Sequence, residues 1–232
     1  MAKKSRTPPP PRRNVQSPRT RSGGNRSPED RRRWQILIGT AALGFLGLAV
    51  VIALVAFRGG SGGAREALEK AGCTLQTFPA SASGQHVEQA PPRSRYNSFP
   101  PTSGPHNPTA APFDVYDEPV EQYRLVHNME HGGVAIQYGR GVPEAQVSEL
   151  VAWYREHPNG LVVAPLTELG KTIALGAWNA EALQQGGQES SDGQGILAKC
   201  PRFRAGAFDA FVDAYAFKGP ERFPEDALAP GS

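Results

Sequence analysis

The chain has 232 residues and a formal net charge of +3, which leaves room for one or two domains. Residues 1–33 contain eleven Lys and Arg against two acidic residues, about +9, so the remaining residues carry about −6. The basic character therefore belongs to the N-terminal segment. A basic nucleic-acid-binding surface on the folded part is excluded by this distribution.

Residues 1–33 are predicted to be a disordered, basic cytoplasmic tail. The segment is rich in Pro, Ser, Arg and Gly, and large apolar side chains are nearly absent before Trp34. Such a segment cannot bury enough surface to offset its ordering entropy. Contact with an anionic inner membrane leaflet explains its charge. A DNA-binding arm is the alternative, but nucleic acid is not the expected partner.

Residues 34–58 are predicted to be a transmembrane helix. The uncharged run 36–57 would extend about 33 Å as a helix, enough to cross a hydrocarbon core of about 30 Å. Three consecutive arginines precede the run and only Arg58 follows it, so the N-terminus is predicted to be cytoplasmic. The expected location is the cell membrane, with a single pass and an extracytoplasmic C-terminal domain. A cleaved signal peptide is the alternative.

Beyond the span, residues 59–63 are predicted to be a Gly/Ser linker, 64–222 a folded domain and 223–232 a C-terminal tail. The fold class expected for the domain is α+β, with a small mixed or antiparallel sheet, two to three packed helices and a long proline-rich loop. Helical patterns cover residues 64–71, 143–154 and 208–215. Strands are predicted at 73–78, 123–127, 133–138, 161–164 and 172–177, and the loop at 91–112.

Cys73 and Cys200 are the two cysteines of the chain. Because both follow the predicted span, they would lie in an oxidising compartment, where an even number of cysteines favours a disulfide. Two thiolates acting as metal ligands are the alternative.

Four of the five histidines fall between positions 86 and 131. His86 stands before the proline-rich loop, and His106 ends a proline-stiffened stretch at 96–106. Because proline fixes φ, a side chain at the end of such a stretch loses little entropy on being positioned. Both histidines are therefore candidate metal ligands. The alternative is that they hold the loop against the sheet through hydrogen bonds.

The other two of these histidines are His127 and His131, within the segment HNMEH. If the segment is extended, His127, Met129 and His131 share one face. Imidazole together with the Met129 thioether suits copper, and imidazole together with Glu130 suits zinc. The predicted cofactor is therefore copper or zinc.

Residues 127–131 also match the H-x-x-E-H signature of inverted zinc proteases. That chemistry requires a helix, which places the two histidines one turn apart. The predicted strand at 123–127 argues against it. No catalytic residue is predicted, and no Ser-His-Asp or Cys-His pattern is present.

Five pieces of the outer domain resemble a known family: residues 84–87, 96–106, 116–119, 125–132 and the 208–221 region. The family is the bacterial domain-of-unknown-function family numbered 3105, and the resemblance covers roughly residues 64–222. It implies a bacterial, extracytoplasmic, membrane-anchored protein and no assigned activity. It also implies that the four clustered histidines belong to the family's motifs, whereas His157 does not.

Three functions are consistent with these patterns. The first is an extracytoplasmic domain that binds copper or zinc. The second is a metal-free interaction or scaffolding module with a cell-envelope protein as its partner. The third is a zinc-dependent hydrolase.

Overall fold

The computed structural model of the protein describes residues 61–81, 85–180 and 193–232. These residues form four α-helices and one five-stranded mixed sheet, which confirms the α+β class. The described part has one helix more than the predicted two to three. The helices are α1 (Ser61–Lys70), α2 (Gln122–Glu130), α3 (Glu144–Glu156) and α4 (Ala205–Tyr215). The strands are β1 (Thr74–Pro79), β2 (Val134–Tyr138), β3 (Leu161–Pro165), β4 (Ile173–Asn179) and β5 (Gln194–Cys200).

The predicted tail and membrane span, residues 1–58, lie outside the described residues. Within the described ranges, every helix is too short or too polar to cross a membrane. Helix α1 begins at Ser61, so the last three residues of the predicted linker are helical.

The strands are ordered β1-β5-β4-β2-β3. Three of the four neighbouring pairs are antiparallel, and β2 and β3 are parallel with α3 in the connection between them. Strand β5 was not predicted from the sequence. It pairs with neighbours on both sides, and four successive residues, 195–198, are buried. A strand buried in this way does not show the alternation of polar and apolar residues that identifies a half-exposed strand.

The sheet is covered on both faces. Val134 and Ile136 of β2 belong to the largest hydrophobic cluster, which also contains residues of α1, α3 and α4. Ala135, between them, belongs to a second cluster with residues of α2. Because successive strand side chains point to opposite faces, α2 lies on the face opposite the other three helices.

A disulfide joins Cys73 to Cys200, as predicted. Cys73 precedes Thr74 and Cys200 follows Lys199, and Thr74 and Lys199 are paired in the antiparallel register of β1 and β5. The disulfide therefore joins the next two residues along this pair of strands. Their Cα atoms are 4.1 Å apart, and 127 positions separate them in sequence. The sulfur atoms are bonded to each other, so they do not act as thiolate ligands.

The strand predicted at 123–127 is wrong, because these residues belong to helix α2. Seven of the nine α2 residues are buried, among them His127, Asn128 and Glu130. A short helix that buries polar side chains does not present the apolar stripe by which an amphipathic helix is identified.

The segment predicted to be a C-terminal tail packs against the domain. It includes a 3₁₀ turn at Glu225–Leu228, and the Leu228 side chain is buried. Backbone hydrogen bonds join Gly231 and Ser232 to Phe113, with N···O distances of 2.9 and 3.1 Å.

Candidate metal centre

Three stretches distant in sequence meet around Glu130. They are the paired residues 86 and 106, helix α2 and the segment after α4. One potential ligand atom from each of four side chains lies within 4.8 Å of the other three. The four residues are His86, His106, His127 and Glu130.

Backbone pairing places His86 beside His106. The two residues form an isolated parallel bridge, in which Val87 N–H donates to His106 O at 2.8 Å and His106 N–H donates to Gln85 O at 3.0 Å. The Tyr96 hydroxyl donates to Pro105 O at 2.8 Å and fixes the end of the loop. Residues 86–106 are therefore closed at their base, and the histidines at the two ends lie side by side, with ring centroids 4.9 Å apart.

Helix α2 supplies the other histidine and the carboxylate of the group. His127 and His131 are one helical turn apart, and their Nε2 atoms are separated by 3.0 Å. Between them, Asn128 exchanges two hydrogen bonds with the backbone of Ala111, at 3.0 and 2.6 Å. These bonds fix the helix to the loop that carries His106.

The ring orientations of His106 and His127 are set by backbone carbonyls. His106 Nδ1 is 2.7 Å from Gly104 O, and His127 Nδ1 is 2.6 Å from Asn107 O. A carbonyl oxygen can only accept, so Nδ1 carries the proton in both rings. Nε2 is then the nitrogen turned toward the cluster, and the hydrogen bond at Nδ1 is the arrangement common to histidines that bind metals.

Glu130 is at the centre of the cluster with no exposed surface. Its Oε2 atom lies 2.8 Å from His106 Nε2 and 3.8 Å from His86 Nε2. Burial alone would lower the pKa of His106, but the hydrogen bond and the negative charge of Glu130 outweigh it and raise the pKa above its ordinary value. Below its raised pKa, His106 is therefore an imidazolium that pairs with the buried Glu130 carboxylate.

The two helix histidines behave differently. Burial lowers the pKa of His127, and burial together with the neighbouring His127 lowers the pKa of His131 to about 4. Both rings are neutral at pH 7. Because His127 Nδ1 carries its proton, His131 donates its Nε2–H to His127 Nε2. Neither ring has to lose a charge before it can bind a cation.

Glu221 was missed in the sequence analysis. Its Oε2 atom lies 3.6 Å from His131 Nε2, and together with Glu130 these residues form a second group of potential ligands. Burial and the charge of Glu130 raise the pKa of Glu221. The sequence feature that could have identified Glu221 is the Gly-Pro-Glu motif at 219–221, which is part of the family resemblance. It was not considered as a source of ligands because it contains no histidine.

Backbone packing positions Glu221. Its N–H donates to Glu130 O at 3.0 Å, and Phe217 N–H donates to Gly132 O at 2.7 Å. Gly132 has φ 95°, and a Cβ there would lie 2.9 Å from the Cα of Phe217. A Cβ at Gly219 would overlap the carbonyl oxygen of Glu130. The end of α2 and the segment after α4 can therefore approach this closely because residues 132 and 219 are both glycine.

Met129 lies away from the cluster. It is buried in the hydrophobic cluster that includes Trp178, and its sulfur faces Gly176. The expectation that Met129 shares a face with His127 and His131 is wrong, because in a helix residues two apart point in different directions.

Comparison with family models matches residues 86–226 to the family described as Protein of unknown function (DUF3105). This match covers more than half of the chain, so the chain belongs to that family. It includes the four clustered histidines, Glu130 and Glu221. Searches of curated proteins and of solved structures gave no significant match.

Proposed function

We propose that this member of the DUF3105 family binds a divalent transition metal, zinc in the first place, through three imidazole Nε2 atoms and the Glu130 carboxylate. The imidazoles are those of His86, His106 and His127. The observation that supports this most strongly is the pair of Nδ1–H···O=C hydrogen bonds at His106 and His127. These bonds turn the Nε2 atoms of two buried rings toward the cluster, an arrangement that hydrogen bonding within a loop does not require.

The spacing suits a small ion. Tetrahedral zinc with bonds of about 2.0–2.1 Å holds its ligand atoms about 3.3 Å apart. In the cluster, Glu130 Oε2 lies 2.8 Å from one imidazole nitrogen and 3.8 Å from another. His86 has the more exposed side chain of these two histidines, so its ring can move inward without repacking the core.

Zinc fits the donor set better than copper does. Three imidazoles and a carboxylate are typical zinc ligands, whereas Cu(I) prefers thiolates and thioethers. The sulfur of Met129 faces the core, and both cysteine sulfurs are in the disulfide. Copper remains the alternative ion, because Cu²⁺ binds most nitrogen sites more tightly than Zn²⁺ does.

We further propose that residues 34–58 anchor the domain at the outer face of the cell membrane. The apolar run and its arginine flank support this location, and the disulfide is typical of compartments outside the cytoplasm. A membrane-bound site there is suited to holding a metal for an envelope protein partner.

The full-length chain, purified from cells supplied with zinc, is expected to contain bound zinc. Replacing His127 with Ala should lower zinc affinity on the order of 100-fold or more, because loss of a ligand outweighs the 10–100-fold effect of losing a residue that orients one. Elemental analysis and competition with a chromophoric chelator measure the two quantities.

His157→Ala is the matched control, because His157 caps α3 and packs on Trp153, away from the cluster. A metal-free wild type would favour the metal-free interaction module. Equal zinc affinities of the His127 and His157 variants would contradict the assigned ligands.

Zinc binding is expected to release protons at about pH 6.5, because the metal must displace the Nε2 proton that Glu130 stabilises on His106. The pKa of His106 is raised above 6.5, so affinity should fall about tenfold per pH unit below the raised value and level off above it. His131 adds to this dependence only near pH 4. Calorimetric titration in two buffers with different ionisation enthalpies measures the proton number, and a value of zero at about pH 6.5 would refute the assignment.

A second candidate function is zinc-dependent hydrolysis. It is favoured by one observation: the H-x-x-E-H segment, expected to be extended, lies on helix α2 and its C-terminal cap, with its two histidine Nε2 atoms 3.0 Å apart. Against it, a glutamate that activates water must reach a substrate, and Glu130 is fully buried beside His106. Cleavage of unstructured peptides by the wild type that is lost on removing zinc and restored on adding it back would identify a hydrolase.

A further inference from the structure

The carboxylate of Glu130 belongs to two groups of potential ligands. With His86, His106 and His127 it forms the group assigned above, and with His131 and Glu221 it forms another. In each group the ligand atoms lie within 4.8 Å of one another. A carboxylate has two oxygens with about four lone-pair sites, so one side chain can bind two cations.

The second group is built into the fold at the junction of α2 and the C-terminal segment. Besides the Glu221 hydrogen bond to Glu130, Phe223 N–H donates to His131 O at 3.3 Å. The Phe223 ring packs on the His131 ring, with centroids 4.2 Å apart. The backbone hydrogen bonds of Glu221 and Phe223 therefore hold this segment against the end of α2. The contact between the Phe223 and His131 rings adds to this packing.

The charges of the second group favour a cation. Glu130 and Glu221 bring two carboxylates within 4.8 Å of each other, and Glu130 is fully buried. Two carboxylates this close repel each other where water is excluded, and a divalent cation between them converts the repulsion into attraction. His131 adds a nitrogen ligand to the two oxygens.

The spacing of the two groups suits a pair of metals. His127 and His131 supply one nitrogen to each group, and these Nε2 atoms are 3.0 Å apart. Without metal this distance is that of the hydrogen bond from His131 to His127. Metals in two-metal sites are separated by about 3.5–4 Å, and each ring would bind its own ion once the His131 proton has moved to Nδ1.

We propose that the cluster is a binuclear zinc site in which Glu130 bridges a first ion held by His86, His106 and His127 and a second ion held by His131 and Glu221. The proposal rests on the zinc-binding function proposed above and adds a second, more exposed ion to it. The Glu221 side chain is 38% exposed and His131 is 18% exposed, so the second ion faces solvent, where a carboxylate or phosphate ligand could reach it.

Zinc stoichiometry of the full-length chain tests the proposal. Wild type is expected to bind two zinc ions, and Glu221→Gln is expected to bind one. Glu225→Gln is the matched control, because Glu225 lies four residues further on, is exposed and contacts Asn159 instead. It should keep two ions. After cadmium substitution, ¹¹³Cd NMR should show two resonances for wild type and one for Glu221→Gln.

A second variant guards against misfolding of the first. His131→Asn removes the nitrogen ligand and should also reduce two ions to one. One ion in wild type, or two in both variants, would overturn the binuclear site while leaving the proposed function standing. No bound zinc in wild type would overturn both proposals.

Discussion

Replacing Glu130 with Gln is expected to abolish zinc binding in the micromolar range, the largest effect of any single substitution in the cluster. The change removes the negative charge and the oxygen shared by both groups of ligands, while the shape of the side chain is retained. Affinity for the first ion should fall by more than about 100-fold, since even residues that only orient ligands contribute 10–100-fold. The measurement is zinc titration against a chelator of known affinity.

Thermal unfolding separates lost binding from lost folding in the Glu130→Gln variant. Zinc at about 100 times its Kd should stabilise wild type by about 2.7 kcal/mol and leave this variant unaffected. Without metal, the variant should lose only about 1–2 kcal/mol, because the amide N–H of the introduced glutamine can donate to Nε2 of neutral His106, which keeps its own proton on Nδ1. Glu168→Gln, at an exposed position in a 3₁₀ turn, is the control and should behave as wild type in both respects. Tight zinc binding by Glu130→Gln would exclude Glu130 as a ligand.

Replacing both cysteines with Ala is expected to destabilise the domain by about 3–5 kcal/mol. The disulfide closes a loop of 127 positions, and the chain-entropy model assigns about 5 kcal/mol to a loop of this size. Cys73 and Cys200 are also buried in the main hydrophobic cluster, so the substitution removes apolar contacts as well. Because domains are stable by only about 5–15 kcal/mol, the loss should be visible as a large decrease in the urea midpoint.

Wild type treated with reductant provides the comparison for the double variant. Both should unfold at similar urea concentrations, and hydrogen exchange should increase most in β1, an edge strand that pairs only with β5 within the described sheet. An unchanged midpoint in both would show that the non-covalent contacts of α1 and β1 are sufficient to hold this edge.

The parts of the fold that the sequence predicted correctly are mostly those with a recognisable local pattern. The stripe of Leu150 and Tyr154 on α3 was identified because its opposite side is polar, and β2 was identified from a short run of β-formers. Helix α2 was not identified, since it lies in the interior and presents no stripe. Strand β2 is as buried as β5, but it contains three β-formers (Val134, Ile136 and Tyr138), whereas Ile196 is the one β-branched or aromatic residue of β5. Periodicity reports the contrast between buried and exposed positions, and there is little contrast in a buried element.

Most of the residues of the candidate site were predicted from the sequence, but the way in which they are grouped was not. The clustering of His86, His106 and His127 in one region was visible in the sequence, because a stiff loop and a short motif carried them. Their grouping with Glu130, and the place of Glu221, depend on a helix and on a contact between segments about 90 positions apart in sequence. No local pattern predicts such a contact.

The contact of Gly132 with the segment after α4 constrains which sequences can keep the second group of ligands. Any side chain at position 219 must separate this segment from the end of α2, because a Cβ there overlaps the carbonyl oxygen of Glu130. Such a shift moves Glu221 away from His131 without changing either residue. A relative that retains every ligand but lacks Gly219 would therefore be expected to hold one ion.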